Sequence, residues 1–242
     1  MSKKGKFAVI GLGQFGFAIA RTLTEKGADV IAIDNRKEVI DEIKDKVTYP
    51  VMLESTDKNA LISQDIQNMD AVVVAIGEDF QSLLLTTFIL QELNVKRIIS
   101  RANGEDQKKI LTKMGIKELL SPEDEVGISV AQTLINPELI MSMPLPNDYE
   151  IVEITAPKKI INRSIEDMGL RQKYELNLVT LLREEKIEGE QEKREGEREE
   201  EEIKTEHNII GVPDSDTIIK ENDRLLIFGK IKKIERFIEI NK

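Results

Sequence analysis

The sequence predicts an α/β protein, a Rossmann-like doubly wound parallel sheet followed by a small α+β C-terminal domain. Three observations carry this prediction. An apolar run of strand length, Phe7 to Ile10, ends in glycines at positions 11, 13 and 16. Apolar runs then alternate with helix-patterned stretches as far as about residue 135. Beyond Pro137, Pro144 and Pro146 the strand-like runs follow one another with few helical patterns between them.

The glycines have the spacing G-x-G-x-x-G at a strand-to-helix transition, and each has its own physical reason. Gly11 permits the sharp turn, Gly13 lets backbone approach a pyrophosphate, and Gly16 lets helix pack on strand. The helical pattern from Phe15 to about Lys26 would point its amides and the positive end of its dipole at that phosphate. Ala28 to Ile33 reads as the second strand. Asp34 stands at its end, about 20 residues past the glycines, where an acid is expected to hold a ribose hydroxyl pair. An adenine nucleotide is the expected ligand.

Val47 to Leu53 is a third strand, and Ser55-Thr56-Asp57 offers a cap for the helix through Ala60-Leu61-Ile62. Asp70 to Gly77 contains a continuous β-branched run, the pattern of a fully buried strand. A helix over Phe80 to Leu93 follows, then a strand from Arg97 to Arg101 and a helix from Asp106 to Met114. A short strand from Lys117 to Leu120 and a helix from Pro122 to about Leu134 complete the first domain, 1–135. Asp34, Glu54, Ile76-Gly77 and Arg101 all fall at strand ends, so a parallel sheet would gather them in one crevice.

The proline-dense stretch 136–148 is expected to be a stiff linker. In the second domain, 149–242, strands are expected over Glu150 to Thr155, Leu176 to Leu182, Asn208 to Val212 and Asp223 to Gly229. Ser164-x-x-Asp167 caps a short helix, and Lys230 to Ile240 is a final amphipathic helix. The segment 183–206 interrupts this domain with almost no apolar residues. Composition of that kind cannot offset the entropy of ordering, so a solvated loop or an exposed hairpin tip is expected.

Charge and composition narrow the function. The net charge is -10, but Glu184 to Glu206 holds 12 Glu against 5 Lys or Arg, so the remaining chain carries only -3. An acidic chain of this kind is not a general nucleic-acid binder. The absence of cysteine excludes disulfides, thiolate metal sites and cysteine nucleophiles. No apolar run has membrane-spanning length, and the apolar start at Phe7 is too short for a signal peptide, so a cytoplasmic location is expected.

Gly11-Leu12-Gly13-Gln14-Phe15-Gly16, Asp34, Val73-Val74-Ala75-Ile76-Gly77 and Ser121-Pro122-Glu123 resemble the RCK family, the regulators of K+ conductance of Ktr and Trk potassium-uptake systems. Arg171-Gln172-Lys173-Tyr174 and Asn222-Asp223-Arg224-Leu225-Leu226 are similar to that family's C-terminal domain. The resemblance implies a cytoplasmic gating subunit on the inner face of the membrane. It would be a homo-oligomer, with dimers assembling into an octameric or tetrameric ring beneath a membrane potassium transporter. By position it implies that Gly11, Gly13 and Gly16, flanked by Gln14 and Phe15, take the phosphates, and that Asp34, with Asn35 and Arg36, takes the ribose. Glu54-Ser55 and Ile76-Gly77-Glu78 would line the adenosine side, and Arg101 would face the phosphates. Glu123 would approach the phosphates of an adjacent subunit, through Mg2+ or another divalent cation. Gln14 stands where Ktr-type rings often carry arginine, which leaves ATP or ADP and NAD or NADH as alternatives. The resemblance also implies a cyclic di-AMP site at Ile165, Leu170, Arg171 and Asn177.

An oxidoreductase acting alone is the competing class, and a ligand sensor of another channel or transporter is a third. Hydride transfer ordinarily needs an acid or base beside the substrate. The one histidine, His207, borders the acidic segment, and no tyrosine has a lysine four residues on: those positions are Leu53, Glu153 and Leu178. No G-x-x-x-x-G-K-[ST] phosphate loop is present. A non-catalytic, ligand-gated switch is therefore expected, with apolar faces of the Phe80 to Leu93 helix and of the helix after Pro122 serving assembly.

Overall fold

The computed structural model describes residues 5–187 and 204–242. The chain divides into two compact units, Met1–Glu125 and Val126–Lys242. Most of the acidic segment, 188–203, lies outside the described residues.

The first unit is a six-stranded parallel sheet. Its strands are β1 (Lys6–Ile10), β2 (Asp29–Asp34), β3 (Tyr49–Met52), β4 (Ala71–Val74), β5 (Ile98–Arg101) and β6 (Glu118–Leu120), in the order β3-β2-β1-β4-β5-β6. Helices α1 (Gln14–Glu25), α2 (Lys37–Ile43), α3 (Lys58–Ser63), α4 (Phe80–Glu92) and α5 (Gly104–Lys113) connect them, and α6 (Pro122–Ile135) follows β6. The central strands are apolar from Phe7 to Ile10 and from Ala71 to Val74 because both faces are covered. Ala8 and Ile10 of β1, with Val72 and Val74 of β4, join Leu61, Leu83, Leu90 and Leu111 in one core. Val9 and Val73 point the other way and pack with Ala20 and Ile43. Capping resolves as the chemistry requires. Asp57 accepts from the amides of Asn59 (2.9 Å) and Ala60 (3.2 Å), and Asp79 accepts from the Ser82 amide at 3.1 Å.

The second unit is a five-stranded antiparallel sheet, order β10-β9-β11-β8-β7. Here β7 is Leu139–Leu145, β8 Tyr149–Thr155, β9 Asn177–Ile187, β10 Lys204–Ile209 and β11 Arg224–Lys230. In β8 and β11 every second residue is buried. The inward residues, with Phe237 and Ile234 of α8 (Ile231–Asn241), form a single core. Helix α7 (Ile165–Met168) is capped by Ser164, whose Oγ accepts from the Asp167 amide at 3.1 Å, and it ends at Gly169 in the left-handed region (φ 60°).

One expectation needs correction. The stretch 136–148 is not an irregular linker, because Leu139–Leu145 pairs with β8. Pro144 is accommodated because β7 is an edge strand, where a missing N–H breaks no ladder on the open side. Asn147 and Asp148, both with positive φ (63° and 61°), make the turn into β8. Strands also extend into the acidic segment from both ends, with Arg183 opposite Asn208 and Ile187 opposite Lys204. Backbone pairing to a neighbour sustains strand there with few apolar side chains.

Candidate functional site

The candidate site lies in the first unit, where parallel strands present their carboxyl ends together. The sheet order reverses between β1 and β4, the switch point of such folds. The three glycines differ in their surroundings as their separate roles require. Gly11 has φ +87°, and a Cβ there would lie 2.9 Å from the Ile76 amide nitrogen. A Cβ on Gly16 would lie 1.9 Å from the Gly11 carbonyl oxygen, so α1 can start this close to the turn only on glycine. A Cβ on Gly13 would meet nothing within 4 Å. Neither φ nor protein packing requires glycine at 13. Helix α1 begins there with no side-chain cap and no acid in its first turn. Its first amides are thus unspent donors at the positive end of a dipole.

At the end of β2, Asp34 is buried and both its oxygens are engaged. Oδ2 accepts from the Leu12 amide (2.8 Å) and from Arg36 Nη2 (3.1 Å), and Oδ1 accepts from the Arg36 amide (3.0 Å) and Nε (2.9 Å). Burial pushes the Asp34 pKa up, but these hydrogen bonds, led by the Arg36 side chain, outweigh it and hold the carboxyl below its ordinary value. The ribose-binding acid expected from the sequence is thus held by Arg36 in this structure. Asn35 donates to Glu54 at 3.1 Å, tying the end of β2 to the end of β3, and this bond is the main reason the Glu54 pKa is lowered. Ser55 is buried, with its Oγ 2.8 Å from Thr86 Oγ1 of α4.

At the other side of the switch point, Gly77 leaves room for Arg101. A Cβ on Gly77 would lie 2.3 Å from Arg101 Nη1. The guanidinium sits 5.8 Å from the centroid of the Phe15 ring and pairs through Nη2 with Glu123 of the same chain. The Arg101 Nε is buried without a hydrogen-bond partner. Among the described residues no group of three or more His, Asp or Glu is arranged to hold a metal ion. Glu78 follows Gly77 and adds its negative field to that of Asp34 on Arg36.

Sequence reasoning missed two participants. The Leu12 amide orients Asp34 but carries no side-chain signal. Arg21 lines a groove of about 420 Å3 with Gly13, Gln14, Phe17 and Arg36. Its signal was spacing, since it lies two helical turns beyond Gln14.

In the second unit, Arg171 and Asn177 come together, Arg171 Nε donating to Asn177 Oδ1 at 2.9 Å. Leu170 does not join them. It is 5% exposed and belongs to the core, because the left-handed turn at Gly169 sends the next side chain inward. Ile165 is partly buried against the same core. His207 faces Glu184 across the β9–β10 ladder and lines a polar pocket with Thr155, Asn222 and Arg224.

These features define a Rossmann-like domain with an uncapped glycine turn, followed in the chain by an antiparallel α+β domain. Residues 7–122 match the TrkA-N domain family. The chain is 33% identical over 235 residues to Ktr system potassium uptake protein A of Bacillus subtilis (strain 168), covering 97% of this chain and 96% of that protein. It is 30% identical over 234 residues to Ktr system potassium uptake protein C of the same organism, with the same coverage. The GsuK RCK domain shares the fold (TM-score 0.50, 20% identity), matching 98% of this chain and 47% of that one. The chain belongs to the family of the Ktr-system potassium uptake proteins and carries a TrkA-N domain. Among the described residues no helix is long and apolar enough to cross a membrane.

Proposed function

We propose that this chain is the nucleotide-binding regulatory subunit of a membrane potassium-uptake system, acting from the cytoplasmic face without catalysing a reaction. Its likeness along nearly its whole length to two Ktr-system proteins supports the transport role. The observation that carries the ligand assignment is the contrast among the glycines. Gly11 and Gly16 are demanded by the protein's own backbone, whereas Gly13 faces open space beside uncapped helix amides. A phosphate group fits that cradle. An adenine nucleotide, ATP or ADP or NAD or NADH, would place its phosphates on the turn and its ribose at Asp34, with Arg36 swinging off the carboxylate to admit the hydroxyls. Glu54, Asn35, Ile76, Gly77 and Glu78 would border the adenosine, and Arg101 would meet the phosphates.

A ligand that binds two conformations unequally shifts their populations by that difference, which is all a gating subunit requires. Exposed apolar side chains, Leu85 and Phe88 on α4 with Val126, Ile128 and Leu134 on α6, support assembly of copies into a ring that engages the transporter. The paired Arg171 and Asn177 support a second, cyclic dinucleotide site in the second unit, with Arg171 taking a phosphate. Calorimetry with ATP, ADP, NAD and NADH, combined with mass measurement of the assembly, tests the assignment. The expected result is saturable binding of at least one adenine nucleotide by an oligomer, and no steady turnover of NADH with carbonyl substrates. Absence of all four affinities would overturn it.

A further inference from the structure

Three acids among the described residues are buried, and they differ in what neutralises them. Asp34 is gripped by Arg36 and Asp223 by Arg183, each through Nε and Nη2 together. Glu150 is 7% exposed and forms no ion pair with any described lysine or arginine. Its oxygens meet neutral groups. Oε2 accepts from Ser142 Oγ at 2.7 Å, and Oε1 lies 3.5 Å from Gln132 Nε2. Glu150 shares the face of β8 that carries Val152 and Ile154 into the core. Its cross-strand neighbours, Pro144 on β7 and Gly229 on β11, bring no side-chain donor. Buried carboxylates are costly unless a positive charge accompanies them.

The Gln132 amide, in the last turn of α6, supplies the second observation. Its contact with Glu150 is at the outer limit of a hydrogen bond, and its Oε1 is buried with no partner. Turning the amide over exchanges its nitrogen and oxygen. A carboxylate, a hydroxyl and an amide oxygen would then stand together. The 3.5 Å between Gln132 and Glu150 is close to the ~3.4 Å that separates two oxygens each about 2.4 Å from one ion at a right angle.

We infer that Glu150, Ser142 and Gln132 form a binding site for an alkali cation, sodium or potassium. One carboxylate balances one positive charge, whereas a divalent ion held by it alone would leave a buried surplus. Neutral amide and hydroxyl oxygens complete the all-oxygen set that hard cations take. The three residues come from α6, β7 and β8, so the ion braces the last turn of the helix against the sheet of the second unit. None of them belongs to the glycine-turn crevice, and the inference is independent of the nucleotide reading.

The test is thermal unfolding of the full chain, without nucleotide, in the chlorides of potassium, sodium and choline at one ionic strength. Wild type is expected to melt about 3 °C higher in potassium or sodium than in choline. The difference between the two metal arms tells which ion fits. Glu150→Gln is expected to melt alike in all three salts, and Gln132→Met to lose most of the dependence. Glu166→Gln, which removes an exposed acid of the same unit, is expected to keep it. One melting temperature for wild type in all three salts overturns the inference. So does a wild-type dependence that survives in Glu150→Gln, or that vanishes equally in Glu166→Gln. Stabilisation by magnesium or calcium chloride but by neither alkali salt overturns the assignment of a monovalent ion. If Glu150→Gln does not fold, Gln132→Met decides, since full dependence there overturns the site. Every one of these outcomes leaves the nucleotide reading standing.

Discussion

The two sheets treat their strand ends in opposite ways. In the first unit all six strands run in the same direction, so residues far apart in sequence, Gly11, Asp34, Glu54, Gly77 and Arg101, arrive at one edge. In the second unit neighbouring strands run antiparallel, so successive strand ends alternate between edges. Candidate residues there depend on helix and turn geometry instead, and Leu170, next to the left-handed Gly169, lies in the core. Parallel topology gathers strand-end residues at one edge, and antiparallel topology divides them between two.

The comparison can be sharpened from the largest effect downward. Phe237 is fully buried in the core of the second unit, and Phe237→Ala is expected to cost about 3–5 kcal/mol in denaturant unfolding. Gly16→Ala should come next, at about 3 kcal/mol, because its Cβ meets a backbone carbonyl that cannot move aside as a side chain would. Gly13→Ala is its counterpart in open space. It should change stability by less than about 1 kcal/mol yet weaken nucleotide binding at least about tenfold. Equal loss of stability in both variants would remove the evidence that position 13 is reserved for a ligand.

Asp34→Asn should reduce nucleotide affinity about tenfold and stability by about 1–2 kcal/mol, since the Leu12 amide and Arg36 each lose a charged acceptor. The smallest effect concerns pH. The folded Asp34 carboxyl titrates below its ordinary range, so its contribution to stability is present above that range and is lost as pH falls through the lower folded value. Wild type minus Asp34→Asn stability should therefore be flat between about pH 8 and pH 5 and shrink only below about pH 4.

Much of the first unit is legible in the chain because its signals are local. Fully apolar β-branched runs mark strands covered on both faces, and the caps at Asp57, Asp79 and Ser164 act within three residues of themselves. The glycine spacing likewise encodes a turn whose demands are local. What escaped were pairings between distant or competing groups. Pro144 reads as a break, and only a place at the sheet edge makes it a strand residue. The contact of Ser55 with Thr86 joins residues 31 apart in the chain.

By itself the sequence determined the alternation of strands and helices in the first unit, and that a G-x-G-x-x-G turn joins its first strand to its first helix. Those depend on backbone sterics, side-chain period and short-range hydrogen bonds. Only the tertiary structure decided that Asp34 is latched by Arg36, that Leu170 is core, and that Arg101 leans on Glu123 with one donor unfilled. The reason is that a charged or apolar side chain takes the best partner within reach, and reach is set by the packing of the whole sheet rather than by neighbours in the chain.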